Sequence, residues 1–255
     1  MRFEKWQALG NDYVIVTEPV DPADVPGICD RHTGIGADGI LVLSQADEPG
    51  FVARLRIFNP DGSEAELSGN GVREAVMYLY RRGWTDAQQF SIQTIAGEIR
   101  PTIIDERTCR VDMGRAQLGE LVEVAGFTGQ EVTIGNPQFS IRVGTPDDLA
   151  ALDLQEIGPP IERDQRFPNR TNVSFWTELG PDVIRARIFE RGAGETMSSG
   201  TGAIGAAVAH VVRGGDSPVT VRLDGGELIA DVGEDFHVDL TGWAIPVFAG
   251  EWPLA

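Results

Sequence analysis

Apolar and charged residues alternate over short runs along most of this chain. "VARLRIF", ending at Phe58, and "VIRARIF", ending at Phe189, put every second side chain on one face, the mark of a half-buried strand. "FSIQTI" from Phe90, "IRPTII" from Ile99 and "CRVDM" from Cys109 read as strands, as do "VTVRL", "ELIADV" and "FHVDL" in the second half. Two segments break this period. Gly71 to Arg82 and Gly202 to Arg213 are built of small and apolar residues, and each is closed by glycine, Gly83 or the pair Gly214 and Gly215, where a left-handed helix cap is usual. They read as helices. Ala203, Ala206, Ala207 and Ala209 fit a helix enclosed by sheet, which needs small faces. The pattern predicts a mixed α/β (α+β) fold in which strands dominate and wrap around one helix in each half.

The two halves are copies of each other. "FVARLRIFNPDGSEAELSGNGVREAVMYLYRRG" from Phe51 aligns without a gap on "DVIRARIFERGAGETMSSGTGAIGAAVAHVVRG" from Asp182, at a constant offset of 131 residues. Arg54, Arg56, Ile57, Phe58, Glu64, Ser68, Gly69, Gly71, Ala75, Arg82 and Gly83 meet identical residues from Arg185 to Gly214. A shorter echo pairs "GNDYVIV" from Gly10 with "GNPQFSI" from Gly135. The chain is therefore expected to divide near Gly114 to Glu120, with residues 1–115 and a returning strand in 243–255 forming one domain and 116–242 the other.

Composition narrows the chemistry. With 255 residues, 42% hydrophobic and 24% charged, the chain can bury a sizeable core. Its formal net charge of −18 would be repelled by phosphate backbones and acidic membrane surfaces, so nucleic acid and membrane are not expected partners. "MRFEKWQALGNDYVIV" lacks the apolar core of a signal peptide, and no long apolar span occurs, which points to the cytoplasm. Lys5 is the only lysine and stands in the opening strand-like run, which argues against a pyridoxal-phosphate Schiff base. Cys29 and Cys109, the only cysteines, read as buried reduced thiols, and His32, His210 and His237 form no metal-ligand pattern. No cofactor and no metal are expected.

Glycine-rich helix starts attract anions, because their first amides lack intrahelical partners. "GIGADG", Gly34 to Gly39, runs into the strand "ILVL", the wrong context for a dinucleotide site. "GTGAIG", Gly200 to Gly205, does open a helix, but ten residues separate it from the preceding strand, and its repeat partner "GNGVRE" lacks the third glycine. The repeat thus marks a helix start and not a nucleotide motif. Two such starts can converge on one small carboxylate, with Ser68 and Ser199 facing it from opposite sides, less than about 15 Å apart once closed on a ligand. Asn11, Asn59, Asn70, Asn136, Asn172, Glu190, Arg191 and Thr201 supply directed hydrogen bonds nearby. Each has a plain alternative as a turn former, "NPDG" at Asn59 above all.

The motifs "LGNDYVIV", "RHTGIGADGILVL", "FNPDGSEAELSGNGVR", "GNP", "TNV" and "FERGAGETMSSGTGA" together resemble the successive signatures of the diaminopimelate epimerase family. The resemblance implies two pseudosymmetric domains, each a strongly curved, mostly antiparallel sheet around a central helix. It implies a cofactor-independent, two-base epimerisation of an amino acid, in lysine and cell-wall biosynthesis. It also implies that Asn11, Asn59, Asn136, Asn172, Glu190 and Arg191 bind substrate, while Gly69, Asn70, Gly200 and Thr201 hold the carboxylate. The strand between Trp243 and Trp252 would return to the first domain. A homodimer is left open.

The departure lies at the centre of the chemistry. The family has cysteines where this chain has Ser68 and Ser199, and a histidine where it has Gln138. A serine hydroxyl ionises far less readily than a thiol and needs a partner base, for which Glu190 is the first candidate. Three readings follow: a natural serine-type isomerase or lyase acting on this or another small acid, an ordinary epimerase whose cysteines were replaced, and a silent amino-acid-binding protein.

Overall fold

The computed structural model describes residues 1–253. In chain order the first elements are β1 (Arg2–Ala8), β2 (Asn11–Val16), α1 (Val25–Cys29), β3 (Ile40–Ser44), β4 (Ala53–Phe58), β5 (Glu64–Ala65) and α2 (Gly69–Arg81). The short strands β6 (Ile92–Thr94), β7 (Gly97–Ile99) and β8 (Pro101–Ile103) follow, then β9 (Thr108–Arg115). Next come β10 (Gln117–Val124), β11 (Phe127–Ile134), β12 (Asn136–Arg142), α3 (Pro146–Ala151) and α4 (Leu154–Glu162). The chain then runs through β13 (Asn172–Gly180), β14 (Val183–Glu190), β15 (Gly194–Thr196) and α5 (Gly200–Val212). It finishes with β16 (Val219–Leu223), β17 (Gly226–Val232), β18 (His237–Trp243) and β19 (Ile245–Glu251).

Two compact units result. One holds Met1–Asp112 together with the chain from Gly242 on, and the other Met113–Thr241. Within the first, the strand order is β19-β1-β2-β3-β4-β6-β7, with β5 on β4; within the second, β10-β11-β12-β13-β14-β16-β17-β18, with β15 on β14. The pairing senses repeat. β2 and β3 are parallel, β3 and β4 antiparallel, β4 and β6 parallel. β12 and β13, β13 and β14, β14 and β16 follow the same sequence of senses. The internal repeat is thus a repeat of topology, and the two helices it marks, α2 and α5, are each 13 residues long.

Both helices are enclosed by their own sheet. α5 is buried from Gly200 through His210 and packs against β11, β12, β13, β14, β16 and β17. Its glycines are explained by that packing. A Cβ at Gly202 would lie 2.8 Å from Ile188 of β14, and one at Gly205 would lie 2.9 Å from Cβ of Gln138 on β12. Glycine in "GTGAIG" therefore lets the helix approach the sheet, at a helix-propensity cost that the closer packing offsets. α4 keeps Pro159 and Pro160 inside a helical segment, started by Asp153, whose carboxylate accepts from the amides of Gln155 and Glu156.

α2 carries a buried charged pair with no counterpart in α5. Arg73 and Glu74 are both fully buried. The Arg73 guanidinium donates to the Gly69 carbonyl at 3.0 Å and to Asn70 Oδ1 at 2.5 Å, bracing the first turn of the helix. Burial brings Arg73 down to about 10. Burial pushes the Glu74 carboxyl well above its ordinary 4.5, and the neighbouring Arg73 charge only partly offsets this. A raised carboxyl favours the folded state below the unfolded pKa and loses that advantage as pH rises towards the folded one. Wild-type stability should therefore fall above about pH 4.5, by up to about 1.4 kcal/mol per pH unit from this group. Glu74→Gln removes the titration; thermal unfolding at pH 8 should show a higher Tm for the variant, with the two proteins converging near pH 4.

Candidate active site

The repeat delivers Ser68 and Ser199 by the same local device. In the first unit Arg56 and Glu64 form a two-pronged ion pair, 2.8 and 2.9 Å, between β4 and β5. In the second, Arg187 and Glu195 join β14 to β15 at 2.7 and 2.8 Å. Each hairpin is followed within a few residues by its serine, in extended backbone (φ −134° at Ser68, −141° at Ser199), which caps a helix. Ser68 Oγ accepts from the Gly71 amide at 3.1 Å and Ser199 Oγ from the Gly202 amide at 3.2 Å. The helices consequently begin at Gly69 and Gly200, two residues before the starts read from the sequence. Near the end of α5, His210 Nε2 meets the Pro181 carbonyl at 2.8 Å.

In the second unit the expected residues come together. Glu190, at the end of β14, accepts from Ser199 Oγ at 2.8 Å and from Thr196 Oγ1 at 2.7 Å. The next residue, Arg191, donates its amide to Asn172 Oδ1 at 2.8 Å, and its guanidinium to Asn136 Oδ1 at 3.3 Å and the Asn169 carbonyl at 3.0 Å. Gly200 and Thr201 form the first turn of α5 and are buried. Their amides have no intrahelical acceptor, so a carboxylate oxygen placed there gains both hydrogen bonds and the helix-end field. Thr196 fixes the second oxygen of Glu190 and carries no motif of its own in the sequence. Its only signal is its place at the end of the hairpin.

In the first unit Ser68 meets a residue that the sequence did not flag. Tyr13 on β2, 6% exposed, donates its phenol to Ser68 Oγ at 3.1 Å. Asn11 spends its amide on Asp38 Oδ2 at 2.8 Å, within a network in which Arg31 bridges Asp12 and Asp38. Burial opposes ionisation of Asp12, yet Arg31 and Lys5 hold its carboxyl below the ordinary value. Lys5 Nζ lies 2.7 Å from Asp12 and 2.5 Å from the Gly36 carbonyl, so this lysine is engaged in structure. Asn59 does make the turn expected of "NPDG": its carbonyl accepts from Gly62, and its amide donates to Ser63 Oγ at 3.0 Å.

Gln138 and the two thiols take no part in these hydrogen bonds. Gln138 is buried against Gly205, and neither end of its amide has a hydrogen-bond partner. Cys29 and Cys109 are buried and free. Burial, first of all, pushes Cys29 up to about 11 and Cys109 to about 12, so neither is a thiolate near neutrality. Among the described residues, no helix is long and apolar enough to cross a membrane.

A family model described as diaminopimelate epimerase matches residues 3–119 and 131–245. The chain belongs to the diaminopimelate epimerase family. It is 42% identical over 99% of its length to the diaminopimelate epimerase of Pelotomaculum thermopropionicum, of which 99% is covered. It is 40% identical to that of Moorella thermoacetica, with both chains fully covered. Among solved structures, a PhzF-family phenazine biosynthesis protein from Bacillus anthracis aligns with a TM-score of 0.79 at 17% identity, over 100% of this chain and 99% of that one. A probable proline racemase from Agrobacterium radiobacter aligns at 0.77 and 16%, over 100% and 93%. Those two likenesses bear on the fold alone.

Proposed function

We propose that the chain epimerises an amino acid by moving the proton at Cα, without pyridoxal phosphate, and that the amino acid is diaminopimelate. Membership of the family supports the reaction class, and the names of the full-length relatives support the substrate. The observation that carries the chemistry is the hydrogen bond from Ser199 Oγ to Glu190 Oε2 at 2.8 Å. A serine alone is too weak a base to take a Cα proton. With its hydrogen already shared with a carboxylate, it can accept a proton from carbon while passing its own to Glu190. The substrate's α-carboxylate would sit on the amides of Gly200 and Thr201, where the helix end stabilises the charge that develops as the Cα–H bond breaks. Asn11, Asn59, Asn136, Asn172 and Arg191 would orient the substrate, with Gly69 and Asn70 offering the second helix start.

Serine at both proton-exchanging positions keeps a second reading in play, that of a protein binding amino acids without turnover. Incubation in deuterated water with LL-diaminopimelate and a panel of L-amino acids separates the two. Epimerisation should place deuterium at Cα of diaminopimelate, read by NMR, with conversion to the meso form. Measurable binding without exchange in any amino acid would leave the silent binder.

A further inference from the structure

One buried carboxylate in the second unit ties together the segments that carry Asn172 and Arg191. Glu162 is the last residue of α4, and its side chain is 2% exposed. Its Oε1 accepts from the Gly192 amide at 3.2 Å and from Arg170 Nη1 at 3.4 Å, while Oε2 accepts from Arg163 Nε at 3.2 Å. Its main-chain carbonyl accepts from the Thr171 amide at 3.2 Å. A carboxylate is costly to bury unless its oxygens are filled, and both are filled here.

These bonds interlock with those of Arg191. Within residues 169–172 the two outer residues hold Arg191, the Asn169 carbonyl taking its guanidinium at 3.0 Å and Asn172 Oδ1 its amide at 2.8 Å. The two inner residues hold Glu162, Arg170 through its side chain and Thr171 through its amide. Gly192, which follows Arg191, closes the bracket on Glu162. The joints are left-handed, with φ of +60° at Arg170 and +80° at Gly192, and the first is an uncommon conformation for a residue with a side chain. α4 is placed for this contact by Gly158, where a Cβ would come within 2.5 Å of the Phe189 ring at the end of β14. The internal repeat sets Pro60 opposite Arg191, a residue with neither charge nor amide hydrogen, so the bracket is not among the features that the repeat duplicates.

Glu162 also sorts the arginines. Arg163 and Arg170 each have it as a carboxylate partner, whereas the guanidinium of Arg191 donates to a side-chain amide oxygen and a main-chain carbonyl, both neutral. The charge of Arg191 is thereby kept for an anionic group of a ligand.

We infer that Glu162 is a positioning residue for Arg191: it fixes the turn at Gly192 and occupies Arg163 and Arg170, so that Arg191 is the arginine of the three that offers an uncompensated charge to a carboxylate of the substrate. The inference rests on the epimerase reading above for the task of Arg191. Glu162 acts through that side chain and not on the reacting atoms. Glu190 keeps its own supports, Ser199 and Thr196, so Glu162 governs binding more than the proton step.

Glu162→Ala should raise KM for diaminopimelate by about 10-fold or more, the scale of one lost charge-assisted hydrogen bond, while kcat changes by less than about 3-fold. Glu162→Gln should keep KM within about 3-fold of wild type, because its amide oxygen still accepts from Gly192. Its NH2 group then faces Arg163, whose side chain is 66% exposed and can turn into water. A merely structural role would lower the amount of folded enzyme and leave KM alone. An unchanged KM in Glu162→Ala, or an equal rise in both variants, overturns the inference. Amide hydrogen exchange, read by NMR, judges the anchor without turnover. The Gly192 amide should exchange slowly in wild type and about 10-fold or more faster in Glu162→Ala, with Glu162→Gln close to wild type. If the wild-type protein epimerises nothing, the epimerase reading fails separately and this comparison still stands. Unprotected exchange at Gly192 in the wild type overturns the positioning role even where Glu162→Ala does not fold.

Discussion

Glu190→Gln lowers kcat for epimerisation by roughly 10²–10⁴-fold while leaving KM close to wild type. Glutamine has the shape of glutamate: its amide oxygen can still accept from one of the two hydroxyls and its NH2 can donate to the other, Ser199 and Thr196 lying 2.8 and 2.7 Å from separate Glu190 oxygens. Local structure and ligand binding should therefore survive. What the amide cannot do is keep a proton handed on by Ser199, so the loss falls on the step in which the Cα–H bond breaks. The measurement is steady-state kinetics on LL-diaminopimelate together with calorimetric binding to each variant. Full activity in Glu190→Gln would remove this carboxylate from the mechanism, and a rise in KM with kcat unchanged would make it a binding residue only.

The repeat was legible because the same local requirements are met twice. Arg56 with Glu64 and Arg187 with Glu195 tie the hairpins, and glycines at 71 and 202 cap against serine, so identical residues recur at one offset. The helices start two residues before the composition suggests, since Gly69, Asn70, Gly200 and Thr201 are poor helix formers and become helical only under the serine caps and, in α2, the Arg73 brace. α4 was not legible, because Pro159 and Pro160 advertise a loop, and what makes a helix there is the Asp153 cap with Ile161 buried behind it. Within the site, residues that repeat or carry charge stood out. Tyr13 did not, because in "NDYVIV" it passes for one more aromatic residue of a buried strand, and only the fold brings its phenol to Ser68. The resemblance to the family directs attention to what the two serines replace, and the fold adds their different hydrogen-bond partners, Tyr13 for Ser68 and Glu190 for Ser199.

Replacing both serines by cysteine, Ser68→Cys with Ser199→Cys, raises epimerisation above wild type by about 10²-fold. A thiol ionises several units below an aliphatic alcohol, and thiols at helix N-termini fall further, to about 3.5–7.5. Both positions accept from a helix amide, at 3.1 and 3.2 Å, so a sulfur there inherits a donor aimed at its negative charge. Either single replacement gains much less, because stereoinversion needs an acceptor and a donor of matched strength and the slower of two steps at one carbon limits the rate. Glu190 should then matter less than in the wild-type protein, since a thiolate needs no carboxylate to take its hydrogen. Adding Glu190→Gln to the double cysteine variant should cost well under the loss it causes in the serine protein. The comparison of four kcat values tests this directly. A double cysteine variant that binds diaminopimelate yet turns it over no faster than wild type would mean that proton affinity at these two positions does not limit the reaction, and would move the search for the limiting group to the residues around Cα.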